Sequence, residues 1–402
     1  MPKVRLAALS VAMGVGLVVV GVTPAFAVPG GGGREWPMYH GGFTHAGSSR
    51  AVGPASGTVR WVFSPGGRFN DHGASPVVGP NGTIYLLQGR SGVGSSRLTA
   101  VSPVTHEKLW SWSDKSEGAA FRSTPAVAPD GTVYVVTDGR GGALIAISNT
   151  GTTLWTLGLG LQGSPTIGPD GTVYVESAGS VLSAVDPQDG QVYWQFAGSE
   201  GSIGVRGSPA LSPDGQTLYL PSGGGDLYAL SAGPTGGSLE WTYEIEGPAD
   251  GGIENAPAVG PDGTIYIATG GGYGDSPGDI EAVNPDGTPK WAYTSNGTFE
   301  TTPTVTSTGL VVAGNDEATI VAVQQNDGSL AWSYTAQGGF YNSSPASDAT
   351  GDIYIYNGAA LLALSPTGGL RWTANVSGYG ASPAIDHSGT LYLTAGQSLI
   401  AF

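Results

Sequence analysis

The chain has 402 residues and a formal net charge of −16, from 31 acidic and 15 basic side chains. A surface this acidic repels a phosphate backbone, which excludes nucleic acid as a partner. The absence of cysteine excludes structural disulfides, thiolate metal sites and a lipid-modified cysteine, while 69 glycines and 28 prolines point to many tight turns.

In chain order, Lys3 and Arg5 precede the apolar run from Leu6 to Val22, and "TPAFA" ends it in small residues at Ala25 and Ala27. This is the pattern of a secretory leader cut after Ala27. Interrupted by Ser10, Gly14, Gly16 and Gly21, the run is short for a bilayer span. Residues 1–27 are therefore expected to be a signal peptide and 28–35 a flexible leader. The mature protein is expected to be a secreted or extracytoplasmic monomer, soluble, neither lipid-anchored nor inserted in a membrane.

From Trp36 onward the chain repeats itself. One marker is a proline after a small residue, at Pro76, Pro125, Pro165, Pro209, Pro257, Pro303, Pro345 and Pro383. The other is a tryptophan, at Trp61, Trp110, Trp155, Trp194, Trp241, Trp291, Trp332 and Trp372. Spacings of 38 to 49 residues between successive prolines match a four-stranded propeller blade. Within a unit, "PAVGP", "GTIYIA", "DIEAV" and "PKWAY" read as four strands, the second alternating at period two. The last unit stops at "SLIAF" without its tryptophan strand, and "GTVRWVF" at 57–63 precedes any proline strand. Joining the two closes a ring. The expectation is an all-β, eight-bladed propeller of four-stranded antiparallel blades over 36–402, with 36–56 as a lead-in segment and 57–63 as the closing strand.

The recurrent Pro-Asp-Gly, with Asp130-Gly131, Asp170-Gly171, Asp214-Gly215 and Asp262-Gly263, lies between two strands and reads as a corner. It lacks the alternating acids of a calcium loop.

The segments "AVDPQDGQVYW", "AVQQNDGSLAW" and "AVNPDGTPKW" carry Gly-x-x-x-Trp, which holds at seven of the eight register tryptophans; His106 takes the glycine place at Trp110. This resembles the tryptophan-docking repeat of pyrroloquinoline-quinone-type propellers, which include quinoprotein alcohol dehydrogenases and non-enzymatic outer-membrane assembly lipoproteins. The segment "EWPMYHGGFTHAGSS" also resembles their opening stretch. The register tryptophans are expected to dock structurally on neighbouring blades. Trp36 and Trp112 stand outside that register, free for other uses.

Length variation falls on the links between blades and on the second-to-third strand connections, so their shared face is the expected binding surface. Three residues before each marker lie Gly73, Arg122, Gln162, Arg206, Glu254, Glu300, Asn342 and Gly380. One residue earlier come His72, Phe121, Leu161, Val205, Ile253, Phe299, Tyr341 and Tyr379. Equivalent positions form rings near the axis, and apolar walls with a few convergent polar groups are how a pocket is built. The channel-mouth candidates are Arg122, Gln162, Arg206, Glu254, Asn255, Glu300, Asn342, His72, Phe121, Phe299, Tyr341 and Tyr379. The alternative is a structural plug of salt bridges between Arg122, Arg206, Glu254 and Glu300.

The five histidines fall at unrelated repeat positions, so no zinc cluster is expected, and no metal or cofactor is predicted. The expected function is non-catalytic binding of an extracellular or envelope protein or glycan. The resemblance implies a second reading, a quinone- and calcium-dependent dehydrogenase using Glu254, Asn255, Glu300 and Arg122 or Arg206. A third is a polysaccharide lyase or hydrolase with Glu254, Glu300 and Tyr341 in the channel.

Overall fold

The computed structural model describes residues 35–66, 74–90, 93–114, 123–137, 142–177, 181–198, 208–222, 225–245, 255–270, 277–340, 343–376, 378 and 381–402. They form eight four-stranded antiparallel sheets, with one short 3-10 turn at Tyr39–Gly41. Blade 1 runs Val77–Val78, Ile84–Arg90, Val93–Val101, Lys108–Ser113, from the axis outward. Blades 2 to 7 repeat that order, starting at Ala126, Leu161, Ala210, Ala258, Thr304 and Ala346. Blade 8 takes Ala384–Ile385, Leu391–Ala395 and Ser398–Ala401 from the end of the chain and its outer strand, Trp61–Phe63, from the beginning. Trp61 pairs with Ala401, Val62 with Ile400 and Phe63 with Leu399, so the ring is closed by its own termini.

Each blade carries one row of side chains that decides its packing. In blade 3, Tyr174, Ala184 and Trp194 lie in register across the second, third and fourth strands. The same Tyr–Ala–Trp row recurs in blades 1, 2, 4, 5, 7 and 8, and blade 6 has Val312 in place of tyrosine. Alanine at the centre leaves room for the flanking rings to close over it, with Tyr–Trp centroids such as 6.1 Å in blade 3.

The tryptophan then meets the next blade. The indole N–H of Trp155 donates to the Pro187 carbonyl at 3.0 Å, and a Cβ added to Gly190 would stand 2.6 Å from the Trp155 ring. Equivalent indole-to-carbonyl bonds run from Trp110, Trp194, Trp241, Trp291, Trp332 and Trp372. Gly190 has φ 76°, so it satisfies two demands at once, left-handed backbone and no side chain under the indole. His106 meets the same backbone demand with φ 59° and solves the second by stacking its ring on Trp61, with centroids 4.4 Å apart and planes 14° from parallel.

Among the described residues the seams between blades are mostly apolar, and two buried carboxylates interrupt them: Glu281 of blade 5, which accepts from the Tyr243 hydroxyl of blade 4 at 2.6 Å, and Glu176 of blade 3. Glu176 is 2% exposed, in register with Leu182 and Phe196, and Phe196 packs edge-on against Tyr228 of blade 4. Its Oε2 is buried without a hydrogen-bond partner, and burial pushes the carboxyl up to about 8.

Three outcomes follow from these seams. Gly190→Ala forces a Cβ into the Trp155 ring and strains the backbone, so it should lower unfolding free energy by about 2 kcal/mol or more in denaturant melts. His106→Gly, which keeps the backbone and loses only the stack, should cost about 1 kcal/mol. The Glu176 carboxyl stabilises the fold fully while protonated, below its unfolded value of 4.5, and that contribution is lost as pH rises toward 8. Glu176→Gln should therefore melt several degrees above the parent protein at pH 8.5 and close to it at pH 4.5. An equal difference at both pH values would show that Glu176 is not the titrating group.

Candidate functional site

The first strand of every blade turns its free edge to the axis. In blade 1, Gly79 N–H donates to Thr83 of the second strand, whereas Val78 N–H points the other way. By period two, the position facing the axis before Val78 is that of Pro76, which has no N–H. The marker proline thus removes a donor where the channel offers it no acceptor.

Val78 N–H does have an acceptor, at 2.8 Å, in the Trp36 carbonyl of the lead-in segment. The arrangement repeats: Val127 donates to Pro37 O, Leu211 to Phe43 O, Val259 to Thr44 O, Val305 to Ala46 O and Ser347 to Gly47 O. The lead-in segment therefore circles the axis, bonding in turn to blades 1, 2, 4, 5, 6 and 7. Every one of these donors is the last residue of a first strand, beside the Asp-Gly-type corner. That places the segment across the turn end of the channel, which it seals. It leaves along blade 7, where Gly53 N–H donates to Asp348 Oδ2 at 2.7 Å, and continues into the outer strand of blade 8.

Above this seal lies a ring of hydroxyls. In five blades the residue before the marker proline passes its N–H to the next blade: Ser75 to Thr124 Oγ1, Thr124 to Ser164 Oγ, Ser164 to Ser208 Oγ, Thr302 to Ser344 Oγ and Ser344 to Ser382 Oγ. Ala256 of blade 5 has no hydroxyl at this place. Tyr39 rises from the segment to the same level, its hydroxyl 2.9 Å from Thr302 Oγ1 and 3.0 Å from Ser344 Oγ. Its ring keeps part of its surface exposed, and burial of the hydroxyl raises its pKa despite those two bonds. Tyr39 thus floors a cup between the inner strands, on the side away from the seal.

Of the channel-mouth candidates, the described residues are Gln162, Asn255, Phe299 and Glu300. Glu300 lies two residues before Thr302, is partly exposed and is engaged with a neighbour. Asn255, also partly exposed, donates its amide to Phe299 O at 3.2 Å, linking blade 5 to the start of blade 6. Phe299 is fully buried, packed with Tyr266, Ala268 and Val311, and lies in the seam rather than on the channel wall. Gln162 pairs through its backbone with Glu176. His72, Phe121, Arg122, Arg206, Glu254, Tyr341, Asn342 and Tyr379 lie outside the described residues. Asn255 and Glu300 are the described groups that a quinone–calcium site would draw on. Among the described residues no three histidine or carboxylate side chains converge to hold a metal, and no chemistry is derived through such a group.

Sequence reasoning missed the seal. It also missed the hydroxyl ring, whose clue was the small residue before each marker proline, serine or threonine in seven of eight units. Trp36, being outside the tryptophan register, is not free for other uses. It is 2% exposed, bridges to Val78 and packs between blades 8 and 1. Trp112 donates its indole N–H to Thr153 Oγ1 of blade 2 at 2.9 Å.

The chain is similar in structure to BamB from Moraxella catarrhalis, with TM-score 0.67, 16% identity and coverage of 86% of this chain and 98% of that one. It is also similar to quinohemoprotein alcohol dehydrogenase from Comamonas testosteroni, with TM-score 0.72, 14% identity and coverage of 92% and 80%. A europium-containing methanol dehydrogenase gives TM-score 0.58 at 14% identity, covering 85% and 91%. At these identities the likeness is one of fold. No curated protein matches the chain. The family model described as outer membrane protein assembly factor BamB matches residues 94–272 and 232–402, which together take in blades 2 to 7 whole, the outer two strands of blade 1 and the inner three of blade 8. On that match the chain belongs to the BamB outer-membrane assembly factor family.

Proposed function

We propose that this protein is an exported, non-catalytic scaffold that holds a protein partner of the cell envelope against the loop-rich face around its channel mouth. The observation that carries this reading is the sealed turn end. The lead-in segment accepts backbone bonds from six blades there, so the cup floored by Tyr39 is approached from the loop-rich side. Connections between blades converge on that side, and loops held by a rigid frame are where recognition concentrates. The family match supports an envelope protein as the partner, and the acidic chain favours a partner with a basic surface.

Export goes with this reading through the leader at residues 1–27. Intact mass of the protein recovered outside the cytoplasm should correspond to a chain beginning at Val28. A mass that retains Lys3 and Arg5 would instead make the apolar run an anchor.

Recognition at the mouth is tested by cross-linking and recovery from the envelope of the producing cell. Arg122→Ala, Glu300→Ala and Asn342→Ala combined should lower recovery of the specific partner at least about tenfold, since buried polar contacts at an interface centre are worth 1 to 3 kcal/mol each. A control variant on the opposite face, Asp286→Ala with Asp327→Ala, should recover it fully. Equal recovery by all three proteins would remove the mouth as the recognition site.

A further inference from the structure

The lead-in segment carries two histidines, and both are placed unusually. His40 is 1% exposed and His45 fully buried, and both hold left-handed backbone, with φ 53° and 49°. Such residues persist only where their surroundings over-determine them. The rings sit in the middle of the seal, each touching Tyr39, with centroids 5.7 and 5.5 Å away.

Their hydrogen bonding differs in a way that matters for a second proton. His40 has a carbonyl at each nitrogen, His45 O at 2.6 Å from Nδ1 and Pro345 O at 2.8 Å from Nε2, with Thr304 Oγ1 3.2 Å from Nε2. A proton added to His40 finds an acceptor. His45 has Thr166 Oγ1 at 3.4 Å from Nε2, and that hydroxyl is itself committed to Pro209 O at 2.7 Å. Its Nδ1 is buried without a partner. A proton there creates a buried N–H with no acceptor and a charge with no counter-charge.

Around the two rings stand Thr166 of blade 3, Thr302 and Thr304 of blade 6, Ser344 and the Pro345 carbonyl of blade 7, and the apolar Ala384–Ile385 strand of blade 8. Among the described residues, neither a carboxylate nor a cation from these elements acts on either ring. Burial holds His40 down at about 4, and burial together with the His40 charge holds His45 at about 3. The Glu35–His387 pair at the start of the segment is half exposed at its histidine and contributes little.

We propose that the seal is an acid-operated latch: protonation of His45, with His40 beside it, expels the lead-in segment from the turn end of the channel while the eight-bladed ring stays closed. The ring survives because its closure is separate. Trp61, Val62 and Phe63 hold blade 8 through ladder pairing with Ala401, Ile400 and Leu399, and no histidine takes part in that ladder. Released, the segment turns the blind cup into a channel open at both ends.

The sign follows from linkage. Both imidazoles are held below their ordinary value of 6.5, so the sealed state has its full stability above that pH and loses it as pH falls toward 4. Opening coupled to one proton grows about tenfold per pH unit, and about a hundredfold when both histidines take one up.

Amide hydrogen exchange on the full exported chain between pH 7 and 4, corrected for intrinsic rates, tests this. The reporters are the axis-facing amides of Val78, Val127, Leu211, Val259, Val305 and Ser347, whose acceptors lie on the segment. They should lose protection at least tenfold per pH unit below 6.5, while the ladder amides of Ala100 and Ala282 hold theirs. His45→Asn keeps a side chain that tolerates left-handed backbone and removes the titration, so its slope should fall to that of His40 alone. Loss of protection in step with the ladder amides, or an unchanged slope in the variant, would overturn the latch. Should the variant fail to fold, ring-proton NMR titration of the parent protein decides. Both histidines titrating near 6.5 in the folded protein would overturn it, and values well below that, with line broadening confined to the segment, would support it.

Discussion

The free edges of eight inner strands all face one axis, and their backbone donors have to be satisfied there. This constraint organises the molecule more than any single side chain. An orphaned amide in a closed interior costs as much as a lost hydrogen bond, and eight blades would multiply that cost. The chain meets it in three ways. A proline deletes one donor per blade, the neighbouring blade's hydroxyl takes the donor before it, and carbonyls of the lead-in segment take the donor after it. The first two are written into every repeat unit or nearly so. The third is a single stretch of chain used once.

That division explains what was legible in the sequence and what was not. Blade number, strand order and closure are properties of the repeat, and a repeat announces itself through spacing. Pro76 to Pro383 and Trp61 to Trp372 gave eight, and "SLIAF" with "GTVRWVF" showed which blade is shared. The seal belongs to no repeat. Nothing in the spacing of "WPMYHGGFTHAGSS" tells that its carbonyls face six different blades, because main-chain acceptors leave no trace in residue type. Trp36 shows how register can mislead: a tryptophan outside the repeat was read as free, yet it closes the seam between the last blade and the first. Phe299 shows the converse, since its ring position was inferred correctly as to blade but its side chain turns into the seam. Ser and Thr before the marker prolines were visible all along as small residues; what went unread was that their hydroxyls have a use.

The seams and the axis are stabilised by different physics, which is why one can loosen without the other. Between blades, tryptophan rings lie over glycine backbones and donate to a carbonyl, contacts that hold no titratable group, except at Trp61, which stacks on His106. Glu176 and Glu281 depart from this: Glu281 accepts from Tyr243 of the preceding blade, and the uncharged form of Glu176 at neutral pH keeps its seam close to apolar. At the axis the arrangement depends on two buried histidines, His40 between two carbonyls and His45 with only Thr166 Oγ1 within reach and no partner at Nδ1. Buried polar networks of this kind hold a unique arrangement when complete and fail together when one member changes protonation.

A scaffold sealed at one end has a direction, and the direction constrains what its open end can do. A molecule entering from the loop-rich face meets a tyrosine hydroxyl already bound on two sides, above a ring of hydroxyls already committed to backbone donors. Such a floor offers few unsatisfied groups to a small ligand, so the proposed recognition draws its energy from the rim rather than from the floor. Rims recognise surfaces better than they recognise small molecules, because contacts spread over eight links sum across a wide area while none alone is deep. The chemistry of the floor therefore argues in the same direction as the geometry of the seal, toward a macromolecular partner seated across the mouth rather than a substrate held within it.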